Sequence, residues 1–427
     1  HRRLHPRLAN ESAKSCGVSQ SGAVSITNTG SRRTPVIQSF NPPNLSDLQK
    51  RAAGVGIVFL IALIASAFFN PRQFFQSYLI GWTFCTGIAI GSLALLMLQH
   101  LTGGGWGLVI RRVLEAATRT LPIMAVLFLP VILGAHSIYH EWADHEEAAQ
   151  HPVVQFKTGY LNVPFFAVRA VVYFAVFITL AFLLNKWSLA QDRTADNRYT
   201  KQMRLLSGPG MVALIFTVTF ASIDWYMSLE PEWYSTIYGF IFVAAWTLSA
   251  LAFVIAVMAN LSGDEPMRRI VAPLHFHDLG KLLLALVMLW AYFAFSQFLI
   301  IWSANSPEEI VWYIHRIHGG WGALIITIGI LHFAAPFLFL LSRDLKRNPR
   351  RLVIIAMLII AMRAVDLLWM LAPAFGHRKW ILVDVVALLG FGGLWLALFT
   401  WQLGKRPLIP INDPQFESTL EQMHVGH

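Results

Sequence analysis

Apolar residues fall in ten long blocks, at roughly 52–69, 75–99, 116–136, 164–185, 208–229, 235–260, 280–302, 319–341, 351–373 and 380–402. Each is close to the ~20 residues that an α-helix needs to cross hydrocarbon, so the pattern predicts about ten transmembrane helices. The third block is the least regular: Arg111, Arg112, Glu115 and Arg119 precede it and read as an interfacial turn. Breakers sit mainly at block ends, as in Ser207-Gly208-Pro209-Gly210, Pro307 and Pro373, whereas Gly390, Gly392 and Gly393 lie inside the last block.

Sorting the basic residues orients the blocks. The stretches before the first block, 100–119, 186–204, 268–281, 343–351 and 405–406 hold 26 Lys and Arg, against five in the alternate connections: Arg72, Lys157, Arg316, Arg378 and Lys379. By the positive-inside rule both termini are expected in the cytoplasm, which requires an even number of spans. Residues 1–47, rich in Ser, Arg, Asn and Thr, are expected to be a disordered basic tail and not a signal peptide. The chain starts on His and not Met, which reads as a fragment or a shifted start. Residues 48–405 form the membrane domain, and 406–427 a short cytoplasmic tail.

Composition narrows the function. Charged residues make up 13% of the 427 positions, about half the soluble-protein norm, and the net charge of +10 resides in short connections, which excludes a nucleic-acid-binding reading. The two cysteines, Cys16 and Cys85, are too few for an iron–sulfur cluster, and no Cys-x-x-Cys-His run attaches haem. Only His332 lies deep in a span, so a bis-histidine haem is not expected either. His140-Glu141-Trp142-Ala143-Asp144-His145 superficially resembles a zinc protease motif, but its histidines are five apart and would not share a helix face, so no metal site is assigned.

Ionisable residues within spans are costly and need a reason. Asp224, Arg169 and Asp384 fall in the outer half by this topology, and Arg363 and Asp366 sit one turn apart in the ninth span, where they can pair. His332 lies mid-span. On the inner side His277, Asp278 and Lys281 form a polar approach to the seventh span, and Glu115 with Arg119 does so for the third; Tyr292, Ser296 and Gln297 add polar groups. The set reads as a proton path entering from each face, or as helix-to-helix ion pairs that fix packing. The outer connections, with the acidic, His-bearing HSIYHEWADHEEAAQH and the aromatic turns LEPEWYSTIYG and NSPEEIVWYIHRIHGGWG, read as interfacial anchors or as a docking surface.

Four stretches carry a family resemblance: KTGYLNVPFFAVRAVVYF (Lys157 to Phe174), TFASIDWYMSLEPEWYSTIYG (Thr219 to Gly239), HFHDLGKLLLALVMLWAYFAFSQFLIIWSANSPEEIVWY (His275 to Tyr313) and HRIHGGWG (His315 to Gly322). From about residue 48 onward the chain resembles the ActF-type membrane subunits of bacterial alternative complex III, a quinol:cytochrome c oxidoreductase, within the NrfD and polysulfide-reductase membrane-subunit family. The resemblance implies an all-α polytopic fold of two four-helix bundles plus two further helices in the bacterial inner membrane. It implies as partners a sister NrfD-like subunit (ActC), an iron–sulfur subunit and multihaem cytochrome c subunits, which carry the redox centres while this chain binds none. A quinone is a candidate ligand, its polar end supplied by Asp224, Arg169 or Asp384. The expected function is a non-redox subunit that supports quinol oxidation and proton translocation. An independent secondary transporter and a structural anchor for redox subunits are the alternatives.

Overall fold

The structure, a computed structural model, describes residues 44–264, 267–376, 381–410 and 412–413. The tail before residue 44, Arg378, Lys379, the residues after 413 and the side chain of His145 lie outside the described residues. The chain is an all-α polytopic membrane protein with ten spanning helices among the described residues: α1 Ser46–Ala67, α2 Pro71–Thr102, α3 Gly105–Leu133, α4 Val163–Thr194, α5 Asn197–Leu229, α6 Tyr238–Leu261, α7 Pro273–Ala304, α8 Trp321–Leu341, α9 Pro349–Phe375 and α10 Ile381–Leu403.

Helix starts are written into the sequence as Asn or Asp followed by a helix-compatible turn. Asn70, Asn162, Asp196 and Asn348 each accept a backbone N–H of the first turn, and Pro71, Pro164 and Pro349 occupy positions where no donor is missed. Reversals are tight: Gly103 and Gly104, both at positive φ, join α2 to α3, and Ala195, left-handed at φ 54°, ends α4 two residues before α5 begins. Most helices outrun the apolar blocks by several residues, because hydropathy marks the hydrocarbon-facing part while the hydrogen-bonded helix continues into the interface.

Helices α2 to α5 pack as one four-helix bundle and α6 to α9 as a second, while α1 and α10 pair along their length beside α2. Helix α2 is the hub, buried along nearly its whole length and packed against α6 and α10 as well as its own bundle. Its apolar residues run all round, as expected for a core helix. The seams depend on missing side chains. A Cβ on Gly91 would meet Trp246 O at 2.0 Å, and one on Gly56 would meet Leu394 N at 2.4 Å. Lipid tails supply no hydrophobic drive between helices, so close backbone approach is what holds such seams.

Two details depart from the sequence reading. Arg111, Arg112 and Glu115 are not on an interfacial turn: they lie on a buried helix, Gly105–Thr118, that forms the first part of α3, and the irregularities come later, near 119–120 and 127–128. Pro209 is not at a span end but inside the helix Asn197–Trp225, flanked by Gly208 and Gly210. A membrane helix tolerates such a proline because neighbouring turns and polar side chains re-satisfy the freed carbonyl.

Candidate functional site

The connections alternate between two faces: one carries most Lys and Arg, and the other, with few of them, carries the acidic connection between α3 and α4. On the opposite, acidic face the stretch between α3 and α4 folds into short helical turns stapled to α5. Tyr139 Oη donates to Trp225 O at 2.9 Å, Trp142 Nε1 to Ser228 O at 2.9 Å, and Lys157 Nζ to Pro231 O at 2.6 Å. The Glu230–Glu232 turn is gripped from both bundles: His151 meets Glu232 at 2.9 Å, while His315 and Arg316 each meet Glu230 at 2.9 Å. The aromatic residues of these motifs are structural staples more than headgroup anchors, since Trp142, Trp233 and Trp312 are all buried.

Between these elements lies a cavity of about 1170 Å³, lined by Gln73, Gln76, His140, Glu141, Glu230 and His315 among others. Partial burial, with Glu230 and Glu232 nearby, pushes the Glu141 carboxyl up to about 7. Burial lowers the neighbouring His140, with Arg72 acting in the same direction. The cavity therefore has a carboxyl able to change protonation near neutral pH.

Glu230, which lines the cavity, is paired with the first of several buried ionisable residues. Arg316 is 1% exposed, its guanidinium shared between Glu230, Met370 O and Trp312 O and stacked 3.8 Å over the Trp312 ring. Tyr238, also buried, is within electrostatic reach of Arg316, Glu230 and Asp366. Asp366 pairs with Arg363 across one turn of α9, and both are buried. Beyond them His332 is fully buried, within electrostatic reach of Arg363, and its ring lies 4.3 Å from that of Trp290. Neither imidazole nitrogen has a hydrogen-bond partner among the described residues. His332 sits in a π-helical turn, Ile328–Ala334, just before Pro336; such turns re-aim side chains and recur at functional sites.

The basic face holds a different kind of cluster. Glu115 takes hydrogen bonds from Arg111 at 3.2 Å, Arg112 at 2.6 Å, Ser188 at 2.5 Å and Arg406 at 3.4 Å. Arg111 reaches Asp413 at 2.6 Å, Arg112 pairs with Asp192, and Asn412 Nδ2 donates to Asp192 O. Residues 406–413, where described, are thereby fastened across α3 and α4. His100, with Nε2 buried and unpartnered, lies near this cluster.

The residues singled out from the sequence thus separate into five places. Arg363, Asp366 and His332 converge at midspan. Asp224 forms its own group, accepting from Arg169 Nε at 2.7 Å and Tyr173 Oη at 2.6 Å, while Arg169 stacks over Tyr160. Asp384 accepts from Ser77 at 2.7 Å on the far side of α2. None of Asp224, Arg169 and Asp384 lines the large cavity. Glu115 anchors the basic-face cluster. His277 and Asp278 stand 3.9 Å apart, and Lys281 meets Asp278 at 3.2 Å in an exposed i,i+3 pair on the first turns of α7, a type worth little to stability.

Glu230, Arg316, Tyr238 and Glu141 were missed. Arg316 counts as an ordinary loop cation in the sequence; the HRIHGGWG and LEPEWY motifs were the available signal, since both place charge beside aromatic residues that bury it. Neither a protein-family model nor a curated protein matches the chain.

Proposed function

We propose that the chain is a non-redox integral membrane subunit of a bacterial respiratory quinol:acceptor oxidoreductase, and that it carries protons between the acidic face and midspan. The reading rests on the resemblance of its long motifs to ActF-type subunits and, above all, on one observation: the buried residues Arg316, Tyr238, Asp366, Arg363 and His332, joined through Arg316 to Glu230 of a cavity that also holds Glu141. Charged groups at this depth are rarely retained for packing alone. A carboxylate paired with an arginine, beside an unpaired imidazole, is the equipment of a proton relay.

In this reading the basic face is cytoplasmic, the membrane is the inner membrane, and redox centres reside in partners: a sister membrane subunit, an iron–sulfur subunit and c-type cytochromes. Quinol oxidised in the complex releases protons; Glu141 and the cavity hold them at the acidic face, while Asp366 and His332 exchange them at midspan. The acidic connections dock the redox partners.

Asp366→Asn in the assembled complex is the test. Proton release coupled to quinol turnover is expected to fall at least about tenfold with the subunits still copurifying. Because Asn leaves Arg363 unpaired, the double variant Arg363→Gln with Asp366→Asn is measured beside it. Unchanged proton release in both, with assembly intact, overturns the relay and leaves a structural anchor. Purification of the chain without c-type haem or iron–sulfur partners overturns the respiratory assignment in favour of an independent transporter.

A further inference from the structure

Five cations gather on the basic face around α3 and the end of α10: Arg111, Arg112, Arg119, Lys405 and Arg406. The described carboxylates among them are three: Glu115, Asp192 and Asp413. Arg111, Arg112 and Arg406 engage all three. Arg119 and Lys405 have no carboxylate partner in an ion pair among the described residues.

Their surroundings are specific. Arg119 gives one guanidinium nitrogen to Gln402 O at 2.6 Å, and its Nε is buried with no partner. Lys405 is exposed, with Nζ 3.0 Å from the centroid of the Trp401 ring, which is itself 43% exposed. The Gln402 carbonyl that accepts from Arg119 also accepts the Lys405 backbone N–H at 3.3 Å, which brings the two cationic residues to the same turn. The position is the last turn of α10, where the apolar helix ends, and on α4 the exposed Lys186 marks a similar level, its Nζ 5.9 Å above Phe182. Exposed Trp and Lys at the end of an apolar span mark the headgroup layer. Two like charges kept together there, one with a buried donor left over, call for an anion.

We propose that Arg119, Lys405 and Trp401 form a seat for the phosphodiester of an anionic phospholipid. The guanidinium presents paired donors that match phosphate oxygens, the ammonium adds a point charge, and the indole packs on the glycerol region. A zwitterionic lipid brings its own cation to a site that already holds two, so the seat discriminates by charge. Each basic side chain near the headgroups contributes about 1 kcal/mol of attraction to anionic lipid, so two of them give a preference of at least about tenfold.

The test uses the full chain, purified in a neutral detergent and titrated with phosphatidylglycerol or phosphatidylcholine, with bound lipid counted by native mass spectrometry. Phosphatidylglycerol is expected to bind at least about tenfold more tightly than phosphatidylcholine, and the preference is expected to fall to about threefold or less in Arg119→Gln with Lys405→Gln. Lys405→Gln alone, at an exposed position, is the variant that keeps the fold, and it is expected to lose part of the preference; Lys186→Gln is expected to lose none. Inorganic phosphate is the second probe. If it displaces phosphatidylglycerol at millimolar concentration, the seat is for a free anion and the lipid assignment fails. An equal affinity for the two lipids, or a preference untouched by both variants, overturns the proposal. So does a preference that emerges only after residues 414–427, which contain Glu417 and Glu421, are removed, because the chain's own carboxylates then occupy the seat.

Discussion

His332→Leu separates a functional midspan histidine from a packing one. The imidazole is fully buried with neither nitrogen bonded. One nitrogen of a neutral ring is a donor and the other an acceptor, so two polar groups go unsatisfied. At the low end of the range for such groups, the pair costs about 2 kcal/mol. The edge-on contact with Trp290, ring centroids 4.3 Å apart, returns about 0.5–1.5 kcal/mol. Leu removes both the penalty and the ring contact at similar volume. The net expectation is a gain of about 0.5–1.5 kcal/mol, or about 1–2 °C in Tm for a chain of this size. Thermal unfolding of the purified protein, followed by intrinsic tryptophan fluorescence, measures the first half; proton release in the assembled complex measures the second. The relay reading expects stability to rise while proton release falls. A Tm lowered by more than about 3 °C would show that the imidazole makes stabilising bonds and would refute the argument. A raised Tm with full proton release would refute the role.

Glu115→Gln removes the carboxylate shared by Arg111, Arg112 and Arg406 and leaves buried guanidinium charge unpaired, so a loss of about 3–5 kcal/mol is expected in chemical unfolding, with easier proteolysis after Lys405. Glu141 has a folded-state pKa raised to about 7 by burial, so its contribution is fully present below about 4.5 and is lost as pH rises through 7. Hydrogen-exchange protection in 134–162, corrected for the intrinsic base-catalysed rate, is therefore expected to fall from pH 5 to 8, and Glu141→Gln is expected to flatten that dependence. Gly91→Ala would set a methyl against Trp246 O and part the two bundles, at a cost of at least about 1–3 kcal/mol, read as a lowered Tm.

The sequence by itself determined the class and number of elements. Ten apolar blocks mean ten spans, because backbone polar groups in hydrocarbon must be satisfied within each segment, and that constraint is local. The pairing of Arg363 with Asp366 was legible too, since i,i+3 spacing fixes a shared face whatever surrounds it. What only the tertiary structure decided is which distant groups meet. Asp224 bonds to Arg169 and Tyr173 of α4 whereas Asp384 bonds to Ser77 of α2, a difference that the sequence pattern does not contain. Arg316, on a connection that reads as solvent-exposed, is buried because Trp312, Glu230 and the Met370 carbonyl close around it. Glu115, one residue among many near a span end, gathers three arginines from two places in the chain. Hydropathy measures what each segment avoids; the partners of a charge are set by packing between segments, which no local pattern encodes.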